Sequence, residues 1–148
     1  MGKASEAKGL DCDSVKIIRL PRYCEDNGDL VVIEGLINVP FPIARVFMVQ
    51  APNGAIRGQH AHRACTQFLT CPRGVVEVQC DDSATTAIFV LDRPDIGLLV
   101  PPGIWCEQTY RLGESALAVL CDRPYEADDY IRQYPEYLAY RRAFSVAT

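Results

Sequence analysis

The sequence predicts an all-β protein, a mainly antiparallel β jelly roll closed by one C-terminal helix. Three observations predict it. Short apolar runs of strand composition follow one another at even spacing, with turn residues between them. No helical-period segment separates them, so the βαβ alternation of a Rossmann-type sheet is missing, as are a G-x-G-x-x-G run and a P-loop. The period changes only near the end, where Tyr137, Tyr140 and Phe144 recur at helical spacing.

The elements follow in order. Residues 1–13 read as a flexible tail, and residues 14–148 as a single domain that opens with the strand-like SVKIIRL. Asn27-Gly28 suits the positive φ of a tight hairpin turn. Leu30 to Glu34 reads as a strand, and Pro40 and Pro42 break the chain before another at residues 45–50. Further strands are expected at 56–62, 66–71, 74–80, 84–92, 97–101, 104–110 and 116–121. Gly74, Asp81-Asp82-Ser83, Arg93-Pro94-Asp95, Pro101-Pro102-Gly103 and Leu112-Gly113-Glu114 punctuate them. Pro135 suits the first turn of the closing helix, whose aromatic stripe should dock on the sheet.

Composition narrows the function classes. The 148 residues carry a net charge of −4 and a sequence pI near 5.1. Arg141-Arg142 is the only adjacent basic pair, so a nucleic-acid partner is not expected. No apolar run reaches the roughly 18–20 residues of a membrane span. The N-terminal MGKASEAKGLDCD has no apolar stretch, so neither a secretory signal nor membrane attachment is expected, and a cytoplasmic location is. The seven cysteines (12, 24, 65, 71, 80, 106 and 121) are odd in number and include no C-x-x-C. They read as reduced, buried thiols, with Cys106 as the exception to consider.

The chain has only two histidines, and they stand as His60-Ala61-His62. On a strand, residues i and i+2 point to one face, so both imidazoles should enter the same space. An imidazole titrates near neutral pH, and two on one inner face can serve adjacent carbons of one substrate. That geometry suits a carbonyl moved between neighbouring carbons through an enediol.

The spacing Gly54, His60, His62, Gln67, Gly74 resembles the first signature of the cupin superfamily, with Gln67 where Glu is usual. Pro101-Pro102-Gly103-Ile104-Trp105 resembles the second, with Cys106 where a third His is usual. Two of four customary metal-ligand positions are thus changed, and no metal and no other cofactor is expected. A closer resemblance is to the sugar 3,4-ketoisomerases. It is carried by Arg45-Val46-Phe47, by Arg57-Gly58-Gln59-His60-Ala61-His62-Arg63, by Gln67-Phe68-Leu69 and by Gly74 to Val78 with Asp81-Asp82. Gly97 to Trp105 and the closing Tyr125 to Tyr134 complete it.

The resemblance covers about residues 14–142. It implies a cupin-type jelly roll, usually a homodimer, that moves the carbonyl of a nucleotide-linked (usually dTDP) 4-keto-6-deoxyglucose from C4 to C3 without metal. It implies His60 and His62 as the acid/base pair and Arg57 near the sugar or diphosphate. Gln67 and Trp105 are expected to line the pocket with the histidines. The chain departs from the family's pattern at Cys106, at Ser83, and at Phe47-Met48, where an aromatic hydroxyl is usual. The alternatives are a metal-dependent or epimerase-type cupin enzyme and a non-catalytic, sugar-binding cupin. Metal content and activity on a 4-keto sugar nucleotide discriminate among the three.

Overall fold

Two long strands organise the molecule, seen in a computed structural model that describes residues 11–146. They are β6 (Gln67–Asp81) and β9 (Trp105–Cys121), paired antiparallel along most of their length. Each takes two further partners in succession. β6 pairs first with β8 (Ile96–Val100) and then with β7 (Thr86–Leu91). β9 pairs first with β5 (Ile56–His62) and then with β4 (Arg45–Pro52). A strand can change partners only where it bends, and both do. β6 shifts register between Thr70 and Val75 around Gly74, whose φ is 85°. β9 bends at Leu112, φ 63°. The sheet therefore curls on itself.

β1 (Lys16–Arg19) extends the sheet beside β8, and β10 (Tyr130–Ile131) closes it beside β5. β2 (Arg22–Glu25) and β3 (Gly28–Val31) form a separate hairpin over the Asp26-Asn27 turn. The strand expected to start at Leu30 thus begins earlier, at Gly28. The strands expected as 66–71 and 74–80 are one strand, as are those expected at 104–110 and 116–121.

Strand alternation sorts the core. Inward Leu69, Val76, Val78, Leu117 and Val119 form the main cluster. Phe68 and Leu120, one residue out of phase, pack on the other face with Val39 and Phe41. The helix α1 (Tyr134–Val146) starts around Pro135 as expected and docks by Tyr137, which is fully buried against Trp105, Ala61 and Ile131. The Tyr137 hydroxyl lies 2.8 Å from the carbonyl oxygens of both Asp81 and Gly103. Gly103, in the Pro-Pro-Gly turn, donates its N–H to the His62 carbonyl at 2.7 Å. Helix, turn and histidine strand are thus tied in one chain of bonds.

Residues 1–10 of the expected tail lie outside the described residues. Residues 11–13 do not behave as a loose tail. Cys12–Ser14 forms a 3-10 turn capped by Asp11, and the Cys12 N–H donates to buried Asp82. Asp82 also accepts from the Ala84 and Thr85 backbone and from the Thr85 hydroxyl. Burial pushes its carboxyl up, but the bonds from Thr85, Cys12 and Ala84 outweigh this and hold it well below the usual range. Among the cysteines, Cys24 corrects the buried reading: it sits exposed on the hairpin, and Cys12 is half-buried.

Candidate active site

β5 carries the histidines into the mouth of the curled sheet. His60 and His62 share a face, their ring centroids 4.9 Å apart in an edge-on arrangement. A bulge between Arg57 and His60 changes what precedes them. Gly58 has a φ of 67°, and a side chain there would overlap the Gln108 amide. Strict alternation would send Arg57 and Gln59 to the face opposite Gly58 and His60. The bulge instead lets all four consecutive residues line one cavity of about 420 Å³. Gln67 from β6, Gln108 from β9, and Phe47 and Val49 from β4 line it with them. Tyr130 and Arg132 complete the lining.

His62 lies deeper than His60. With Gln67, Cys65 and Cys106, both imidazoles line a small recess beneath the cavity. His62 Nδ1 is 2.7 Å from Asp129 Oδ2, and the Ala64 N–H donates to Asp129 Oδ1 at 2.6 Å. The His62 Nε2 atom is buried and has no hydrogen-bond partner. With Nδ1–H donating to the carboxylate, Nε2 presents its lone pair toward the recess.

Burial lowers the His62 pKa, and the bond that its Nδ1–H donates to Asp129 opposes that fall only in part. Burial first, then the neighbouring His62 and the Arg132 charge, lowers His60 to about 4. Both rings are therefore neutral near pH 7, the form that can accept a proton. Burial raises the Asp129 carboxyl, but His62 and the Ala64 N–H bring it below its usual value.

The sequence-expected residues separate here. The structure brings together His60, Arg57 and Gln67 around the cavity, with His62 just beneath. Trp105 stands elsewhere. It neighbours Cys106 on β9 and so faces the opposite side, packed between Tyr134 and Tyr137 under α1. That removes it from the histidine cavity, where it was expected. It lines an adjoining cleft of about 500 Å³, which shares Gln59 and Arg132 with the cavity. Cys106, opposite His60 in the strand register, makes its thiol contact with Cys80, Sγ to Sγ 3.8 Å.

Asp129, Tyr130, Arg132, Gln108 and the Arg45 side chain were not assigned roles from sequence. Asp129 is 67 residues from His62. The only available signal was its place within the closing family-like segment.

Arg45 Nη2 donates to the Tyr130 hydroxyl at 3.0 Å and to Cys121 Sγ at 3.5 Å. Cys65 turns its thiol toward Cys121. It stays protonated and, with Arg45 and Gln67, pulls the Cys121 thiol below its usual range. Among the described residues, His62, Cys65 and Asp129 are the group that could hold a metal, with one ligand atom each inside 4.8 Å. Two of those three are already committed to the imidazole–carboxylate bond.

The chain is similar to known proteins in sequence and in fold. The model of the family described as FdtA: WxcM-like, C-terminal, matches residues 13–142. The TDP-4-oxo-6-deoxy-alpha-D-glucose-3,4-oxoisomerase of Aneurinibacillus thermoaerophilus is 36% identical over 126 residues, 84% of this chain and 91% of its own. A sugar 3,4-ketoisomerase of Thermoanaerobacterium thermosaccharolyticum, solved with TDP, superposes with a TM-score of 0.86 at 30% identity. The superposition covers 90% of this chain and 98% of that one. A variant of that enzyme with one histidine changed to asparagine, solved with TDP-4-keto-6-deoxyglucose, superposes at 0.84 and 30% identity. It covers 87% of this chain and 94% of that one. The chain belongs to the FdtA family, WxcM-like C-terminal, and with it to the sugar 3,4-ketoisomerases.

Proposed function

We propose that this enzyme moves the keto group of a TDP-linked 4-keto-6-deoxyhexose from C4 to C3, by imidazole acid/base catalysis through an enediol. The observation that carries the reading is the His60–His62 pair on one strand face at a polar cavity, with His62 backed by buried Asp129.

The 4-keto group acidifies the hydrogen on C3. A neutral imidazole within hydrogen-bond reach can take that proton, and the pair can deliver one to C4. Asp129 fixes the His62 tautomer and steadies the imidazolium that forms. Gln67 and Gln108 offer amides to sugar hydroxyls. Arg57, with Arg132 in the same cavity, supplies the positive charge that a diphosphate needs on an otherwise acidic protein. Trp105 has no part in the proton transfers and would touch only a ligand long enough to enter the adjoining cleft.

Nucleotide sugars are cytoplasmic metabolites, and the enzyme is assigned to that compartment. No helix among the described residues is long and apolar enough to cross a membrane. We assign it as a homodimer because exposed Val46 and Met48 on β4, and Leu30, Leu36 and Ile37 near the hairpin, leave apolar surface uncovered. A monomer by light scattering at micromolar concentration would count against this assignment.

The test of function is incubation with TDP-4-keto-6-deoxyglucose, with the 3-keto product trapped by a 3-aminotransferase. Formation of the 3-amino sugar is expected, and its absence refutes the reading. The His62, Cys65 and Asp129 group favours a metal-dependent cupin as the second reading. Near-stoichiometric metal in the active protein, with activity lost on chelation, would establish it instead.

A further inference from the structure

Moving a carbonyl between adjacent carbons shifts two protons. One passes between C3 and C4 and the other between O3 and O4. The imidazole pair accounts for the first. The second needs its own carrier, because vicinal oxygens of an enediol face each other at a poor angle for a direct O–H···O transfer. The carrier must reach the same cavity and must both give and take a proton on oxygen.

Among the residues lining the cavity, Tyr130 is the only one with a hydroxyl. The glutamines and arginines there are donors or acceptors that do not exchange protons under mild conditions. The recess beneath holds no hydroxyl either. Tyr130 stands opposite His62 in the β10–β5 register, with ring centroids 4.4 Å from His62 and 5.1 Å from His60. Its ring face is covered by the Arg132 guanidinium at 4.3 Å. Its oxygen accepts from Arg45 Nη2 at 3.0 Å. Because that contact uses the oxygen as acceptor, the phenolic proton is left for another partner, and the guanidinium stabilises the phenolate formed when it leaves.

We propose that Tyr130, held by Arg45, is the acid/base group that carries the proton between O3 and O4. The proposal rests on the ketoisomerase reading above. The C3–H bond breaks, its proton goes to the imidazole pair, and its electron pair forms the C3=C4 bond, placing negative charge on O4. Tyr130 gives its proton to O4 and becomes a phenolate beside Arg45. The phenolate takes the proton from O3. The O3 electrons form the C3=O bond, and C4 takes the proton held by the imidazole pair. Tyrosine and imidazoles end as they began, and no oxidant or further reactant is needed.

The test is Tyr130→Phe, which keeps the ring between the histidines and Arg132. Turnover of TDP-4-keto-6-deoxyglucose should fall by about 100-fold or more, while TDP affinity by calorimetry stays within about threefold of the parent. Turnover near the parent's rate overturns the assignment, and so does a loss of TDP affinity that matches the loss of rate. In a second variant, 3,5-difluorotyrosine replaces Tyr130, which makes the phenol more acidic without removing it. The alkaline limb of kcat should then move to lower pH, and an unmoved limb overturns the assignment. The parent enzyme is assayed first. A parent that binds TDP but never yields the 3-keto sugar refutes the function and the assignment together, whereas an active parent with an equally active Tyr130→Phe refutes only the assignment.

Discussion

His62 Nδ1 and Asp129 Oδ2 stand 2.7 Å apart with both side chains buried, while the Ala64 N–H holds the other carboxylate oxygen. Asp129 therefore has one oxygen fixed by backbone and one given to the imidazole. Asp129→Asn should keep the Ala64 bond through its amide oxygen and turn its NH2 toward Nδ1. The imidazole must then accept at Nδ1 and carry its proton on Nε2, which removes the free lone pair. Turnover should fall by about 100-fold or more, with TDP affinity retained. Steady-state kinetics beside calorimetry checks this, and an unchanged kcat would remove Asp129 from the mechanism.

The pH dependence follows from the two lowered histidines. Burial holds His60 at about 4, and burial also lowers His62. His60 therefore stays in the proton-accepting form well below 6.5, and His62 keeps that form to a lower pH than a free imidazole does, so the acid limb of kcat/KM should lie below 6.5. Stability moves in the same window. On unfolding, each imidazole regains its ordinary affinity and takes up a proton, so the unfolded chain binds more protons between about 6.5 and 4. Stability is complete above 6.5 and is lost as pH falls toward 4. The lowered Asp82 and Asp129 add further loss at lower pH. Urea midpoints at pH 7.5, 6 and 5 should decline in that order, and a flat series would contradict the buried neutral histidines.

Local pattern made some of this architecture legible and left some of it closed. The histidine pair, the Asn-Gly hairpin and the Pro135 helix each follow from neighbours within a few residues. Gly74 marked a break in β6 but could not say which kind. A glycine at positive φ serves a turn or a bulge equally, and the continuous partner strand β9 decided for the bulge. Trp105 and Cys106 could exchange faces with a one-residue slip, so their placement waited on the register of β9 against β5. Asp129 and Tyr130 reach the site only because β10 pairs with β5, a contact between segments that share no local signal.

Close packing at Gly97 gives a stability test. A Cβ there would overlap the fully buried Phe68 ring, which sits in a close-packed interior. Gly97→Ala should cost about 1–3 kcal/mol and lower Tm by roughly 5 °C or more. Gly113→Ala meets nothing within 4 Å and should stay within about 0.5 kcal/mol of the parent. Thermal melts of both variants check the contrast, and equal Tm values would show that Phe68 can move aside.

Arg57 leaves the strand's regular alternation at the Gly58 bulge and is exposed at the cavity rim. An exposed rim guanidinium meets the charged part of a ligand before the reacting carbons. Arg57→Ala should therefore raise KM and weaken TDP binding by about tenfold, with kcat little changed. Unchanged TDP affinity would remove it from the binding site.

The last test divides the work of the two imidazoles. His60 and His62 both line the recess, but only His62 has a carboxylate behind it and a bare Nε2. His60→Asn and His62→Asn should each fold and bind TDP, because both changes leave Arg57 and Arg132 in the cavity. Each should lose turnover by about 100-fold or more if both imidazoles handle protons. Turnover of the parent in D2O then reports how the carbon-bound proton travels. If the proton passes between the two rings, it meets solvent at half-buried His60, and deuterium appears at C4 of the product. If one shielded ring carries the same proton from C3 to C4, product forms without deuterium there. Deuterium at C4 with both variants inactive supports the pair. Product free of deuterium, with His60→Asn still active, assigns the transfer to His62 alone and leaves His60 a binding residue. Wild-type rates in both variants would end the imidazole mechanism altogether.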